Sequence, residues 1–443
     1  MSRYGLEIID WGTLDRGRQA AFLQRPAGAD DGLRSAVAAI IDQVRSDGDA
    51  ALARLTRQFD GVEPARLEVD AAALRAAAGA IESDLSRAIS EASQRIHAFH
   101  AADLPPEKTL ETAAGLSCTV TYRPLATVGI YVPGGRAPLL STVMMLAVPA
   151  RLAGCRQIVM CSPPGQDGGI CQEVLAAASL CGVHRVFCVG GAQAIAAMAY
   201  GTGTVPRCNK IFGPGNTWVT EAKQQVSQDP AGAAIDMPAG PSEVMVVADA
   251  AAGERGGVDF IAWDLLSQAE HGPDSQVLLL TDEPRLAAAV LRRLDELGPA
   301  SPRHAILDRS LRTARVIVVD NLEQAIAIAN EYAPEHLILN TRDAASLAAR
   351  VEHAGSVFIG RWTPESLGDY CSGTNHVLPT NGFARAHGAL GVGDFMRRMT
   401  LQEASAAALA QVGPVAELLA ATEGLDAHRM AVRSRLASLE RRP

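Results

Sequence analysis

Thr127-Val-Gly-Ile-Tyr-Val132, followed at once by Pro133-Gly-Gly135, decides the fold. A short apolar run ending in a Pro-Gly turn reads as a buried strand. A helical stretch at 141–152 comes next, then a second apolar run, Gln157-Ile-Val-Met-Cys161. Helix 172–180, strand 185–189, helix 192–200, the run Lys210-Ile-Phe212 and helix 216–225 continue the alternation. Strands alternating with helices imply β-α-β units and a largely parallel sheet.

A second series begins near residue 243. Strands are expected at 243–248, 276–280, 316–319, 336–340 and 356–359, with helices at 259–268, 284–297, 322–331 and 344–351 between them. Apolar residues recur at three- and four-residue spacing in 32–59 and 71–99, which predicts amphipathic helices. The segment 400–439 reads as helical too. The fold class is therefore α/β: two tandem Rossmann-like parallel-sheet domains with helical N-terminal and C-terminal extensions.

Bulk properties exclude other classes. The chain has 443 residues, too many for one ordinary core. Its formal charge of −9 offers no basic stripe for phosphate backbones, so nucleic acid is not an expected partner. No apolar run reaches bilayer-spanning length, and the first residues lack the zones of a secretory signal. The eight cysteines (118, 155, 161, 171, 181, 188, 208, 371) include no Cys-x-x-Cys pair. They read as small hydrophobes in a reducing compartment, so a cytoplasmic location is expected.

Several runs carry chemistry. Gly360-Arg-Trp-Thr-Pro-Glu-Ser-Leu-Gly-Asp-Tyr-Cys-Ser-Gly-Thr-Asn-His-Val-Leu-Pro-Thr380 puts Asp369 and His376 in a loop dense with turn formers. In Asp264-Leu-Leu-Ser-Gln-Ala-Glu-His-Gly272, Gln268 and His271 are three apart and share a face if helical. They suit a divalent metal, or His271 simply ends the helix beside Gly272. In Tyr332-Ala-Pro-Glu-His-Leu337, Pro334 sets the entry to a strand, and Glu335 with His336 suits proton transfer. Ala421-Thr-Glu-Gly-Leu-Asp-Ala-His-Arg429 places Glu423 and His428 late in the last helical stretch, where an ordinary polar face is the plain reading. Ile235-Asp-Met-Pro-Ala-Gly-Pro-Ser-Glu-Val244 presents Ser242 after a rigid turn. Pro133-Gly-Gly135, Val189-Gly-Gly-Ala-Gln193 and Gly213-Pro-Gly-Asn216 each follow an expected strand and precede a helix. Any one alone reads as a tight turn, but three such turns on one sheet point to a dinucleotide crevice.

Taken together, these runs resemble the histidinol dehydrogenase family over about residues 30–440. The resemblance implies a zinc-dependent, four-electron oxidation of L-histidinol to L-histidine through the aldehyde, consuming two NAD. It implies one Zn2+ per subunit held by Gln268, His271, Asp369 and His428, and NAD contacts from Tyr131, Gln193 and Asn216. Ser242, His376 and Glu423 would bind substrate together with the metal ligands and His336. His336 would take the alcohol proton, and Glu335 would activate water for the second oxidation. A homodimer is implied, with intertwined C-terminal segments that bring Glu423 and His428 to the other subunit's site.

The implied domains are an N-terminal extension (1–28), a discontinuous catalytic and metal domain (29–131 and 242–388), an NAD-binding domain (132–241) and a helical dimerisation tail (389–443). Two positions differ from the family's habit: Arg136 stands where a small polar residue is common, and Trp218 replaces another aromatic. The alternatives are a same-fold dehydrogenase for another polyol, such as a sulfonated propanediol, and a metal-dependent hydrolase. The second is disfavoured by the glycine turns and the lack of a His-Glu-x-x-His run.

Overall fold

The computed structural model describes residues 2–25, 31–62, 66–134, 138–238 and 240–440. Arg136 lies outside them.

Two parallel sheets organise the chain, as expected. The first has six strands in the order Ile8–Asp10, Arg315–Val318, Gln276–Thr281, Glu243–Ala248, His336–Asn340 and Ser356–Ile359. Its central strands are buried on both faces, so they read as near-continuous apolar runs. Val244, Val246, Leu279 and Ile338 point to the face covered by helices Gly257–Ala269 and Pro284–Leu297. Met245, Val247, Leu278 and Leu337 point to the other face, under helix Leu322–Tyr332. This is the alternation that a pleated strand imposes.

The second parallel sheet has five strands: Arg185–Cys188, Gln157–Ser162, Thr127–Tyr131, Lys210–Phe212 and Ala234–Ile235. Helices Ser83–Ala102, Leu140–Leu152 and Gln172–Leu180 cover one face. Helices Asp31–Asp47, Asp49–Asp60, Gly191–Tyr200 and Thr217–Gln228 cover the other. Helix Asp31–Asp47 buries Val37, Ile40, Ile41 and Val44, one stripe at helical spacing.

The expected division of the chain changes here. Strand Thr127–Tyr131 is central in the five-stranded sheet, and helices Asp31–Asp47 and Asp49–Asp60 pack on that sheet. Much of 29–131 therefore goes with 132–241 and not with 242–388. The first residues join the six-stranded sheet through Ile8–Asp10, paired with Val316–Val318.

A third, antiparallel sheet was not legible in the sequence. Strand Leu116–Pro124 pairs with Lys108–Ala113 on one side and with Met396–Ala404 on the other. The segment expected to be helical from residue 400 thus begins as a strand. Its residues lie mostly exposed, so they lack the apolar alternation that marks a half-buried strand. Helices Ala406–Thr422 and Asp426–Glu440 follow as a hairpin, with Gly413 close against Leu436 and Val432. Val415, Leu418, Leu419, Leu425 and Met430 are exposed on it in the single chain.

Chain order reverses once in each parallel sheet, and the two reversals face each other. In the five-stranded sheet the chain runs outward from Thr127–Tyr131 and then returns to its other side at Lys210–Phe212. Ligands in such sheets bind beyond the carboxyl ends at this switch. In the six-stranded sheet the reversal lies between Glu243–Ala248 and His336–Asn340. There it is the amino ends of the strands that carry the chemistry.

Candidate active site

One cleft joins the two sheets. It is lined by Gly213, Pro214 and Gly215 from the five-stranded sheet, and by Ser242, Glu335, His376 and Val377 from the other half. Lys223 and Asp236 line it too.

Glu335 and His336 sit at the start of a strand because the preceding backbone is irregular. Helix Leu322–Tyr332 ends on Ala333 in the left-handed region (φ 53°), and Pro334 follows. Both side chains are buried, at 6% and 4% exposure. One residue contacts both. The main-chain N–H of Glu243 donates to the Glu335 carboxylate at 2.7 Å, and the His336 Nδ1–H donates to the Glu243 carbonyl at 2.9 Å. His336 Nε2 is buried without a hydrogen-bond partner and lies 3.5 Å from Asp369 Oδ1.

Electrostatics follow from this crowding. Burial pushes Glu335 up to about 8, against the pull of His336 and the Glu243 N–H. Burial opposes charge on His336 too, but the carboxylates of Glu335, Asp369 and Glu365 outweigh it and raise the imidazole to about 10. Asp369 resists burial because His336, His376 and His271 surround it, and it stays below its ordinary value.

The run 360–380 is not all loop. Residues Glu365–Tyr370 form a short helix that carries Asp369. His376 donates from Nδ1 to the Asp369 carbonyl at 3.0 Å, with its Nε2 3.4 Å from the Thr142 hydroxyl. Burial lowers its pKa.

Gln268 is fully buried on helix Gly257–Ala269, but His271 is not on that helix. It lies just past the end, with its N–H on the Gln268 carbonyl at 3.2 Å. The expected shared helix face is therefore a shared helix end. His271 is exposed in the single chain, yet the surrounding protein still lowers its pKa, against the pull of Asp369. Among the described residues no group of three or more His, Cys, Asp or Glu side chains is gathered for a metal ion. Gln268, His271 and Asp369 nevertheless share one neighbourhood: the Gln268 amide reaches Glu365, whose charge acts on Asp369, and Asp369 acts on His271. An amide oxygen, a neutral imidazole and a carboxylate are a donor set that suits a divalent cation such as zinc.

Glu423 and His428 are exposed at the helical hairpin, and among the described residues no hydrogen bond or ion pair ties them to His271 or Asp369. The single chain does not bring them to the cleft.

The residues expected to meet a dinucleotide lie at the carboxyl edge of the five-stranded sheet. Tyr131 is buried, and its hydroxyl accepts the Gly191 N–H at 3.0 Å; burial lifts its pKa to about 12. Gln193 is buried beside the same turn. Asn216 caps helix Thr217–Gln228 by accepting the Val219 N–H at 3.1 Å. Gly213 must be glycine. Its φ is 117°, and a Cβ there would fall 2.2 Å from the Tyr131 carbonyl oxygen. Lys223 fixes this turn by donating to the Gly213 carbonyl at 2.8 Å while paired with Asp236 at 2.5 Å.

Residue-by-residue reading missed five participants: Arg25, Glu243, Glu365, and the paired Lys223 and Asp236. Glu243 and Glu365 stand inside runs quoted above. A carboxylate gives no sign, in sequence, of being buried. Of the cysteines, all are free; 161, 181, 188 and 208 are buried, whereas Cys171 is exposed. Among the described residues no helix is long and apolar enough to cross a membrane.

Comparison with known proteins bears on the same reading. A family model described as Histidinol dehydrogenase matches residues 23–436. A histidinol dehydrogenase of Xylella fastidiosa is 54% identical over 435 residues, covering 98% of this chain and 100% of the relative. That of Vibrio cholerae is 48% identical over 439 residues, with 98% and 100% covered. The crystal structure of histidinol dehydrogenase from Elizabethkingia anophelis has a TM-score of 0.91 at 41% identity, covering 96% of this chain and 97% of the other. The chain belongs to the histidinol dehydrogenase family.

Proposed function

We propose that the cleft oxidises L-histidinol to L-histidine in two hydride transfers to two successive NAD molecules. The observation that carries this is the Glu243 peptide, which fixes Glu335 and His336 together in a cleft walled on its far side by Gly213-Pro-Gly215. A dinucleotide approaches from the five-stranded sheet, and a base waits at the six-stranded one.

His336 is the base of the first step. Its Nδ1 is committed to a carbonyl, which leaves Nε2 of the neutral ring to accept the alcohol proton as hydride departs, and the carboxylates of Glu335 and Asp369 stabilise the imidazolium that forms. Glu335 activates the water that adds to the aldehyde, and burial brings its pKa close to neutrality, where a base transfers protons well. Confining the aldehyde between the two sheets keeps it from bulk water between the steps. Ser242 and His376, both at the cleft, contact the substrate. Tyr131, Gln193 and Asn216 shape the NAD side, with the Gly190-Gly191 and Gly213-Pro-Gly215 turns bringing backbone close to the phosphates.

Gln268, His271 and Asp369 would hold zinc, with His428 and the substrate contact of Glu423 arriving from a second copy of the chain. When bound, the ion orients and polarises the substrate and takes no electrons itself. The exposed apolar residues of the hairpin and the exposed His271 favour this homodimer. The domain assignment follows the same division: cofactor on the five-stranded sheet, proton transfer on the six-stranded one, dimerisation on the C-terminal hairpin. A free cysteine set accords with a cytoplasmic enzyme.

The test is a direct assay with L-histidinol, a sulfonated propanediol and no-NAD controls. NADH and histidine formed from histidinol support the reading. Preference for the diol, or histidine formed without NAD, would refute it.

A further inference from the structure

Arg25 lies far from the cleft in sequence, just beyond helix Arg16–Leu23, yet it grips the first residue of strand Glu243–Ala248 and the end of the helix that leads to strand His336–Asn340. Its Nε and one terminal nitrogen donate to the two oxygens of Glu243, at 2.5 and 2.8 Å. The same terminal nitrogen donates to the Tyr332 carbonyl at 2.9 Å, and the guanidinium lies 3.7 Å from the centre of the Tyr332 ring. Tyr332 is the last residue of the helix that leads into Pro334, Glu335 and His336. The Glu243 side chain is fully buried and also accepts the Asn381 N–H at 3.0 Å.

We propose that the Arg25–Glu243 pair is a positioning device for catalysis: it fixes the Glu243 main chain and the Tyr332 helix end relative to each other, and so sets the geometry of Glu335 and His336. The inference rests on the catalytic reading of those two residues. Its physical basis is direct. Glu243 offers its N–H to one catalytic side chain and its C=O to the other, so a rotation of that peptide misplaces both. A planar fork with two parallel hydrogen bonds restrains such rotation, and a point charge does not. The N-terminal segment thereby becomes part of the active-site architecture rather than an appendage.

The test compares full-length Arg25→Ala, Arg25→Lys and Glu243→Gln with Asp295→Ala. Asp295 anchors the same N-terminal segment through the Ser2 hydroxyl and the Arg3 N–H, and does not touch Glu243. Glu335→Gln and His336→Asn are measured beside them. Arg25→Ala should lower kcat by roughly 100-fold with the KM for histidinol changed by less than about threefold. Added guanidinium ion should restore roughly tenfold of that loss, and Arg25→Lys should remain impaired. Asp295→Ala should lower the melting temperature and leave kcat unchanged. If Arg25→Ala does not fold, Glu243→Gln, which keeps the volume, is read by the same KM-against-kcat split. Wild-type kcat in Arg25→Ala, no rescue by guanidinium, or equal kcat losses in Asp295→Ala would overturn the inference. Active Glu335→Gln and His336→Asn enzymes would overturn the catalytic reading and this inference together, whereas inactive ones beside a fully active Arg25→Ala sink only the latter.

Discussion

The His336 imidazole donates from Nδ1 to the carbonyl oxygen of Glu243 across 2.9 Å. A carbonyl can only accept, so Nδ1 keeps its proton, and Nε2 is the nitrogen left for the substrate in the proposed reaction. His336→Asn should therefore lose about 10²–10⁴ in kcat while the protein keeps its metal, because the side chain acts as base and not as ligand. Steady-state rates beside elemental analysis decide this. Loss of the ion with the activity would reassign His336 to the metal.

Glu365 would orient the proposed metal ligand Gln268 without being a ligand itself. It is 1% exposed and accepts from the Ser267 hydroxyl at 2.8 Å. In the amide orientation that satisfies both groups, the Gln268 NH2 donates to its two oxygens at 3.1 and 3.2 Å. That turns the amide oxygen away from Glu365. Glu365→Gln should weaken metal retention about 10–100-fold, as the loss of other ligand-orienting partners does. Competition against a chelator measures it; unchanged retention would remove Glu365 from that role.

Lys223 and Asp236 form a buried pair at 2.5 Å beside the Gly213 turn. Replacing Lys223 by Met strands the carboxylate. The expected cost is about 3–5 kcal/mol in urea unfolding, with much of it recovered when Asp236→Asn is added. Equal stability of the single and double variants would show that the pair does not act as one.

The fold was legible where chemistry and periodicity agree. The parallel strands announced themselves because burial on both faces leaves continuous apolar runs such as Glu243–Ala248. Strands Lys108–Ala113 and Met396–Ala404 did not, since an exposed antiparallel ribbon needs no apolar alternation. In the site, Glu335, His336, Asp369 and His376 stood out because carboxylates and imidazoles clustered among turn formers. Arg25 was invisible, since its meaning comes from a partner 218 positions away in sequence. Glu423 and His428 stay exposed in the single chain, so nothing in it tests their reading.

Asp264 gives a pH test of the core. It is buried on helix Gly257–Ala269, and burial alone raises its pKa to about 7 from the ordinary 3.8. The folded value lies above the unfolded one. Its contribution is therefore most favourable below 3.8 and is lost as pH rises toward about 7. Asp264→Asn removes that dependence, so the variant should gain roughly 2 kcal/mol on wild type between about pH 5 and about pH 8. Denaturation at the two pH values measures the difference; a constant offset would contradict the buried acid.

The division of labour between His336 and Glu335 is tested most directly by counting NADH per histidinol in a single turnover with NAD in excess. The account predicts two from the wild-type enzyme, one from Glu335→Gln with the aldehyde left unoxidised, and almost none from His336→Asn. Two from Glu335→Gln at the wild-type rate would contradict it.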